Sequence, residues 1–234
     1  MVEQAKAGKI SRNEFLRGLS LGRSAARPYG NRPRRRYFLI VCEGEETEPK
    51  YFEAIAQQLP KDMVSRVTVK GTGGNTLQLI DAAKKEVEKR RASRLPDYYY
   101  VWLVFDRDAF PADHFNRTIE LAESRHWHCA WSNEAFELWY VLHFREQLGG
   151  GISRSQYQQM LEEDVRVNTN EKNFSYKKND PIMFERLKQL TPIAIRRAER
   201  ALARQIQSKG AAWADMNPAT RVHELVGLLM AYMP

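Results

Sequence analysis

The run Tyr37-Phe38-Leu39-Ile40-Val41-Cys42 is apolar without interruption, the pattern of a central strand buried on both faces. It leads into Glu43-Gly44-Glu45-Glu46-Thr47-Glu48-Pro49, where Gly44 permits a tight turn, Thr47 suits a cap and Pro49 suits a first helical turn. The pattern predicts a helix from there to about Leu59 and a second strand over Val64–Lys70. Beyond Gly71-Thr72-Gly73-Gly74-Asn75 it predicts a long helix from Thr76 to about Arg94, apolar at Leu77, Ile80, Ala83 and Val87. A third strand, Tyr99–Phe105, closes on Asp106-Arg107-Asp108; Pro111 opens another helix, and Trp127–Trp131 reads as a fourth strand. Strands alternating with helices of this length predict βαβ units and a largely parallel sheet, hence an α/β fold flanked by helices. After Ser132-Asn133 the pattern turns helical: Glu134–Phe144, Arg154–Glu163, Pro181–Ser208 and Ala219–Tyr232, with Gly149-Gly150-Gly151 as a hinge or loop. The expected organisation is an arm over 1–36, an α/β domain over 37–145 and a C-terminal helical annex over 146–234 packed on it.

Charge changes the picture at one end. The 234 residues carry a formal net charge of +8. Residues 1–36 hold ten Lys/Arg against Glu3 and Glu14, whereas the rest holds 27 bases and 27 acids. The whole surplus therefore lies in the arm, which also has Gly and Pro scattered among its arginines. A concentrated basic arm suits a polyanion such as DNA or RNA, with Arg32, Arg34, Arg35 and Arg36 as the contacts beside the body; the alternative is a solvated tail. The two cysteines, Cys42 and Cys129, form no CxxC pair, which argues against a disulfide scaffold or thiolate zinc site. No apolar run approaches the length of a membrane span and no signal peptide is visible, so a cytoplasmic protein without a membrane partner is expected.

The first and third strands both end in acids. In an open parallel sheet functional groups gather at the carboxyl ends of strands, so Glu43, Asp106 and Asp108 are expected on one rim. Three carboxylates there repel one another unless a cation intervenes, and a hard cation such as Mg²⁺ or Mn²⁺ takes oxygen ligands of this kind. The rival reading is that strand-end acids cap helices or face water. Glu137 stands apart, because Phe136, Leu138, Trp139, Tyr140, Val141, Leu142 and Phe144 surround it on every side of its helix. A helix apolar all round is buried, and a buried carboxylate needs an arginine partner or a cation. Both roles, ion pair or site residue, stay open. Ser132 and Asn133 are placed either to cap the following helix or to face the site.

A strand–Glu-Gly element followed by strand–Asp-x-Asp resembles the Toprim signature. With Ile40-Val41-Cys42-Glu43-Gly44-Glu45-Glu46-Thr47-Glu48-Pro49-Lys50-Tyr51-Phe52, Phe105-Asp106-Arg107-Asp108, Ser132-Asn133-Glu134-Ala135-Phe136-Glu137-Leu138-Trp139, Leu142-His143-Phe144 and Asn217-Pro218-Ala219-Thr220, the chain resembles the RloB-like family. One departure is Glu134, where proline is expected after Ser-Asn. The resemblance implies a Toprim-like sheet, with Asp106 and Asp108 as metal ligands and Glu43 as a ligand or proton-transfer group. It also implies a setting in prokaryotic restriction and phage defence. The leading expectation is Mg²⁺- or Mn²⁺-dependent cleavage of DNA or RNA phosphodiesters, with Glu43, Asp106, Asp108 and Glu137 as site residues. The rival is a non-catalytic nucleic-acid-binding or scaffold component beside other restriction or defence proteins, and a third class is phosphotransfer at the same rim.

Other signals count for less. The glycine loop at 71–75 lacks the Lys-Ser/Thr ending of a Walker loop, no Gly-x-Ser-x-Gly elbow is present, and His143 reads as a hydrogen-bonded core residue.

Overall fold

The computed structural model describes residues 36–69, 76–107, 111–209 and 212–233. Strand β1 (Phe38–Glu43) lies between β2 (Val64–Val69) and β3 (Tyr100–Asp106) and is parallel to both. Strand β4 (His128–Asn133) continues the sheet parallel to β3. The expected α/β architecture and the expected adjacency of the first and third strands are what the structure shows.

Helices cover the sheet and account for the unbroken apolar run in β1, whose residues Phe38 to Val41 have no exposed surface. On one face Leu39, Val41, Leu103 and Phe105 pack with Leu79, Ile80 and Ala83 of α2 (Leu77–Ala92) and with Phe115, Ile119 and Ala122 of α3 (Ala112–Glu123). Side chains alternate across a strand, so Ile40, Cys42, Trp102, Val104 and Asp106 fall on the opposite face. Helix α1 (Thr47–Ala56) buries Tyr51, Phe52 and Ile55. The rings of Tyr51 and Phe52 meet that of Phe136 edge-on, just before α4 (Glu137–Val141). Every residue of α4 is buried, as its all-round apolar surface predicts.

The second half departs from expectation in three places. Ala219-Thr220, expected to open a helix, forms β5, antiparallel to β4, so the sheet runs β2-β1-β3-β4-β5. The Thr220 hydroxyl explains the change. It donates to Trp131 O (3.1 Å), lies 3.0 Å from Ser132 Oγ, and accepts from Val222 N (3.1 Å) at the start of α8 (Val222–Met230). Ser132 and Asn133 belong to β4 and cap nothing; Asn133 Nδ2 instead donates to Ala214 O at 2.9 Å. The span expected as one helix over Pro181–Ser208 is divided into α6 (Met183–Leu187), a 3-10 turn at Lys188–Leu190 and α7 (Thr191–Lys209). Pro192 lacks an N–H and belongs in a first helical turn, which is where the chain restarts its helix. Between α4 and α6 runs α5 (Arg154–Asn168), whose N-terminus is closed by a capping box between Ser153 and Gln156.

The C-terminal part thus supplies a strand to the sheet as well as a helical cover. Arg197 of α7 donates to the carbonyls of Leu142 and His143, both at 2.9 Å, satisfying acceptors that the end of α4 leaves open. His143 is buried with Nδ1 2.9 Å from Trp139 O, and burial pushes its imidazole down to about 4. No helix among the described residues is long and apolar enough to cross a membrane.

Candidate acidic site at the sheet rim

Asp106 is the last residue of β3 and Glu43 the last of β1. Because the strands are parallel and adjacent, both residues lie on the carboxyl edge of the sheet. The register pairs Cys42 with Val104, so position 106 falls on the face of Val104 and position 43 on the face of Val41 and Phe105. The two acids share an edge and leave it from opposite faces of the pleat.

The groups that meet Asp106 come from elsewhere in the chain. Arg154, the first residue of α5, donates from Nη2 to Asp106 Oδ2 at 2.8 Å, and its Nε is 3.7 Å from Glu137 Oε2. Gln158, one turn further along α5, donates to Glu137 Oε1 at 3.0 Å. The arginine that a buried Glu137 requires is therefore the same arginine that faces Asp106, and the two readings of Glu137 merge. Glu48, in the first turn of α1, completes the set. Gly44 has φ +84°, a conformation that favours glycine, and a Cβ placed there would come 3.6 Å from Glu48 Oε2. The Glu43-Gly44 turn therefore lies directly against the Glu48 carboxyl.

Asp106, Glu137 and Glu48 expose 6%, 2% and 7% of their surface, so water screens this charge poorly. Burial, followed by the charge of Glu48, holds the Asp106 carboxyl well above its usual range, against the pull of Arg154 and the Phe136 backbone N–H. Burial also raises Glu48 to about 7, with Glu137 and Glu43 adding to the rise and Arg154 opposing it. Burial, then the charge of Glu137, pushes the Tyr176 phenol up. Among the described residues Asp106 Oδ1, which is buried, has no hydrogen-bond partner. Buried carboxylate oxygens are ordinarily satisfied, so this atom marks a place where a donor or cation belongs.

Of the residues singled out in the sequence, the structure brings Asp106 and Glu137 onto one guanidinium and places Glu43 beside Glu48. Asp108 lies outside the described residues, as do Arg32, Arg34, Arg35 and the glycine loop at 71–75. Arg36 is held on the body: its Nη1 donates to Tyr232 Oη (3.1 Å) and Tyr100 Oη (3.3 Å), and its guanidinium stacks 4.6 Å from the Tyr99 ring centre. Among the described residues no three His, Cys, Asp or Glu side chains are grouped as ready ligands of one ion.

A model of the family described as RloB-like protein matches residues 38–229. The chain belongs to the RloB-like family. No curated protein and no solved structure matches it. The RloB-like span takes in Glu43, Glu48, Asp106, Glu137 and Arg154, and extends through β5 and most of α8. The family match therefore covers the part of the chain that brings Arg154 to the rim as well as the strands that carry the acids.

Proposed function

We propose that this RloB-like chain is a Mg²⁺- or Mn²⁺-dependent nuclease that cleaves DNA or RNA phosphodiesters in prokaryotic phage defence. The observation that carries the reading is the buried Asp106 at the carboxyl end of β3, among Glu48 and Glu137, with one oxygen unpartnered among the described residues. Oxygen donors on a strand rim suit a hard divalent cation. Asp106 and Asp108 would hold it, and Glu43, which leaves the same edge from the opposite face of the pleat, fits the proton-transfer role better than direct ligation. A bound cation offsets phosphate charge and activates water. Glu137, fixed by Gln158, positions Arg154, whose planar fork suits a phosphate. The basic arm adds sequence-independent affinity for the nucleic-acid backbone.

Incubating the purified protein with DNA and with RNA, in Mg²⁺, Mn²⁺ or EDTA, tests the reading. Cleavage is expected with metal and abolished by EDTA. Asp106→Asn should reduce it by more than the roughly 10–100-fold that loss of an outer-shell partner costs. Burial already disfavours the charged form of Asp106, so without metal Asp106→Asn should melt at or above the wild-type temperature, and Mg²⁺ should stabilise the wild type more than the variant. A destabilised variant together with a wild type indifferent to metal would make the rim an ordinary ion pair. A metal-dependent shift with no cleavage of either polymer would favour the binding or scaffold role.

A further inference from the structure

We propose that Arg154 is the resident cation of the acidic rim: a divalent ion must displace it from Asp106, and the freed guanidinium then takes a phosphate oxygen of the ligand. The inference rests on the metal-dependent reading above and deepens it. Three observations meet at this residue. Its Nη2 is 2.8 Å from Asp106 Oδ2, and its Nε is 3.7 Å from Glu137 Oε2, so one guanidinium spans both acids. Three buried carboxyls, Glu48, Asp106 and Glu137, lie within its field. The other oxygen of Asp106 is buried without a partner among the described residues, so the guanidinium holds one oxygen of that carboxylate and leaves the other open.

A guanidinium on one oxygen of a carboxylate and a divalent cation on the other repel each other, and strongly so at low dielectric. Displacement of the arginine relieves that conflict, and the structure lets it move. The Arg154 side chain is 28% exposed. Its helix is anchored independently of it, by the Ser153–Gln156 capping box and by buried Tyr157, Leu161 and Val165. The side chain can therefore leave the rim without unwinding α5. A divalent ion accepts phosphate oxygens as ligands, and a guanidinium binds the same group through paired N–H donors. The displaced arginine and the ion thus converge on one phosphate, and each should favour the other's contact with it.

Mn²⁺ binding to the full-length protein, measured by titration calorimetry with and without adenosine 5′-monophosphate as the phosphate probe, tests this without reference to cleavage. Arg154→Ala should bind Mn²⁺ alone about tenfold more tightly than wild type, within the usual range for coupled sites. The monophosphate should tighten Mn²⁺ binding to wild type and do so markedly less in Arg154→Ala. Arg154→Lys keeps the charge but loses the fork. Because its ammonium cannot span Asp106 and Glu137 together as the guanidinium does, it should bind Mn²⁺ more tightly than wild type though less tightly than Arg154→Ala, which keeps the test decisive if the alanine variant does not fold. Equal Mn²⁺ affinity in wild type and the variants, or weaker affinity in Arg154→Ala, would overturn the displacement while leaving the metal reading intact. An unchanged monophosphate effect in Arg154→Ala would overturn the phosphate contact. Absence of Mn²⁺ binding from the wild type, the variants and Asp106→Asn alike would end the metal reading and this inference together. Binding that appears only once Arg154 is removed would support displacement in its strongest form.

Discussion

Glu48 is one of four acids in the short stretch Glu43–Glu48, yet Glu45 and Glu46 are exposed while Glu48 is buried. Its carboxyl, ordinarily near 4.5, is raised to about 7, first by burial. The protonated form therefore favours the fold. That contribution is complete below about 4.5 and is lost as pH rises through about 7. In EDTA, Glu48→Gln should remove the loss. Its melting temperature should match the wild type near pH 4.5 and exceed it at pH 8, where the variant should be more stable by an amount on the order of 3 kcal/mol. Scanning fluorimetry across that range checks it, and a variant less stable than wild type at pH 8 would contradict the burial argument. The residue was legible in principle: position 48 falls in helical phase with Tyr51, Phe52 and Ile55, the buried side of α1. Arg154 carried the same kind of signal, in phase with buried Tyr157, Leu161 and Val165. Charge type drew attention to the strand ends, whereas helical phase marks which charges on the flanking helices point inward.

At the scale of elements, the four parallel strands could be read because three are largely apolar runs and β2, Val-Ser-Arg-Val-Thr-Val, alternates, each ending in turn residues. β5 could not, since two residues show no period and Ala219-Thr220 runs directly into a helical pattern. Its place is set by partners distant in sequence, Trp131 and Ser132. The acids Glu43 and Asp106 were legible as strand ends on one edge, while the arginine between Asp106 and Glu137 comes from 48 residues beyond Asp106 and no local pattern announces that meeting. One consequence concerns the boundary near residue 145. A fragment of residues 36–145 would leave the β4 edge without β5 and uncover α4, whose Glu137 would lose both Arg154 and Gln158. It should fail to give the dispersed amide spectrum and cooperative melting of a folded domain, whereas residues 36–234 should give both. A cooperatively folding 36–145 fragment would show that the sheet does not need its C-terminal cover.

For the whole molecule, charge is divided between residues 1–35, with nine Lys/Arg against two acids, and residues 36–234, with 28 against 27; Arg36, stacked on Tyr99 and bonded to Tyr100 and Tyr232, belongs to the second part. Deleting residues 1–35 should leave the melting temperature of the body unchanged within about a degree. It should weaken DNA or RNA binding and flatten its dependence on salt, because the slope counts the phosphates neutralised. Fluorescence anisotropy over a salt series measures both, and an unchanged slope would mean that the arm takes no part in binding. The antiparallel pairing of β5 with β4 has a further consequence, for biosynthesis. A ribosome delivers Glu43 and Asp106 long before Arg154, and Arg154 before the residues that close the sheet. Until residues 219–229 have emerged, β4 presents an open edge, the kind of surface on which chains pair wrongly. A growing chain thus holds its acids before it holds the arginine that balances them, and closes the β4 edge of its sheet only when β5 arrives.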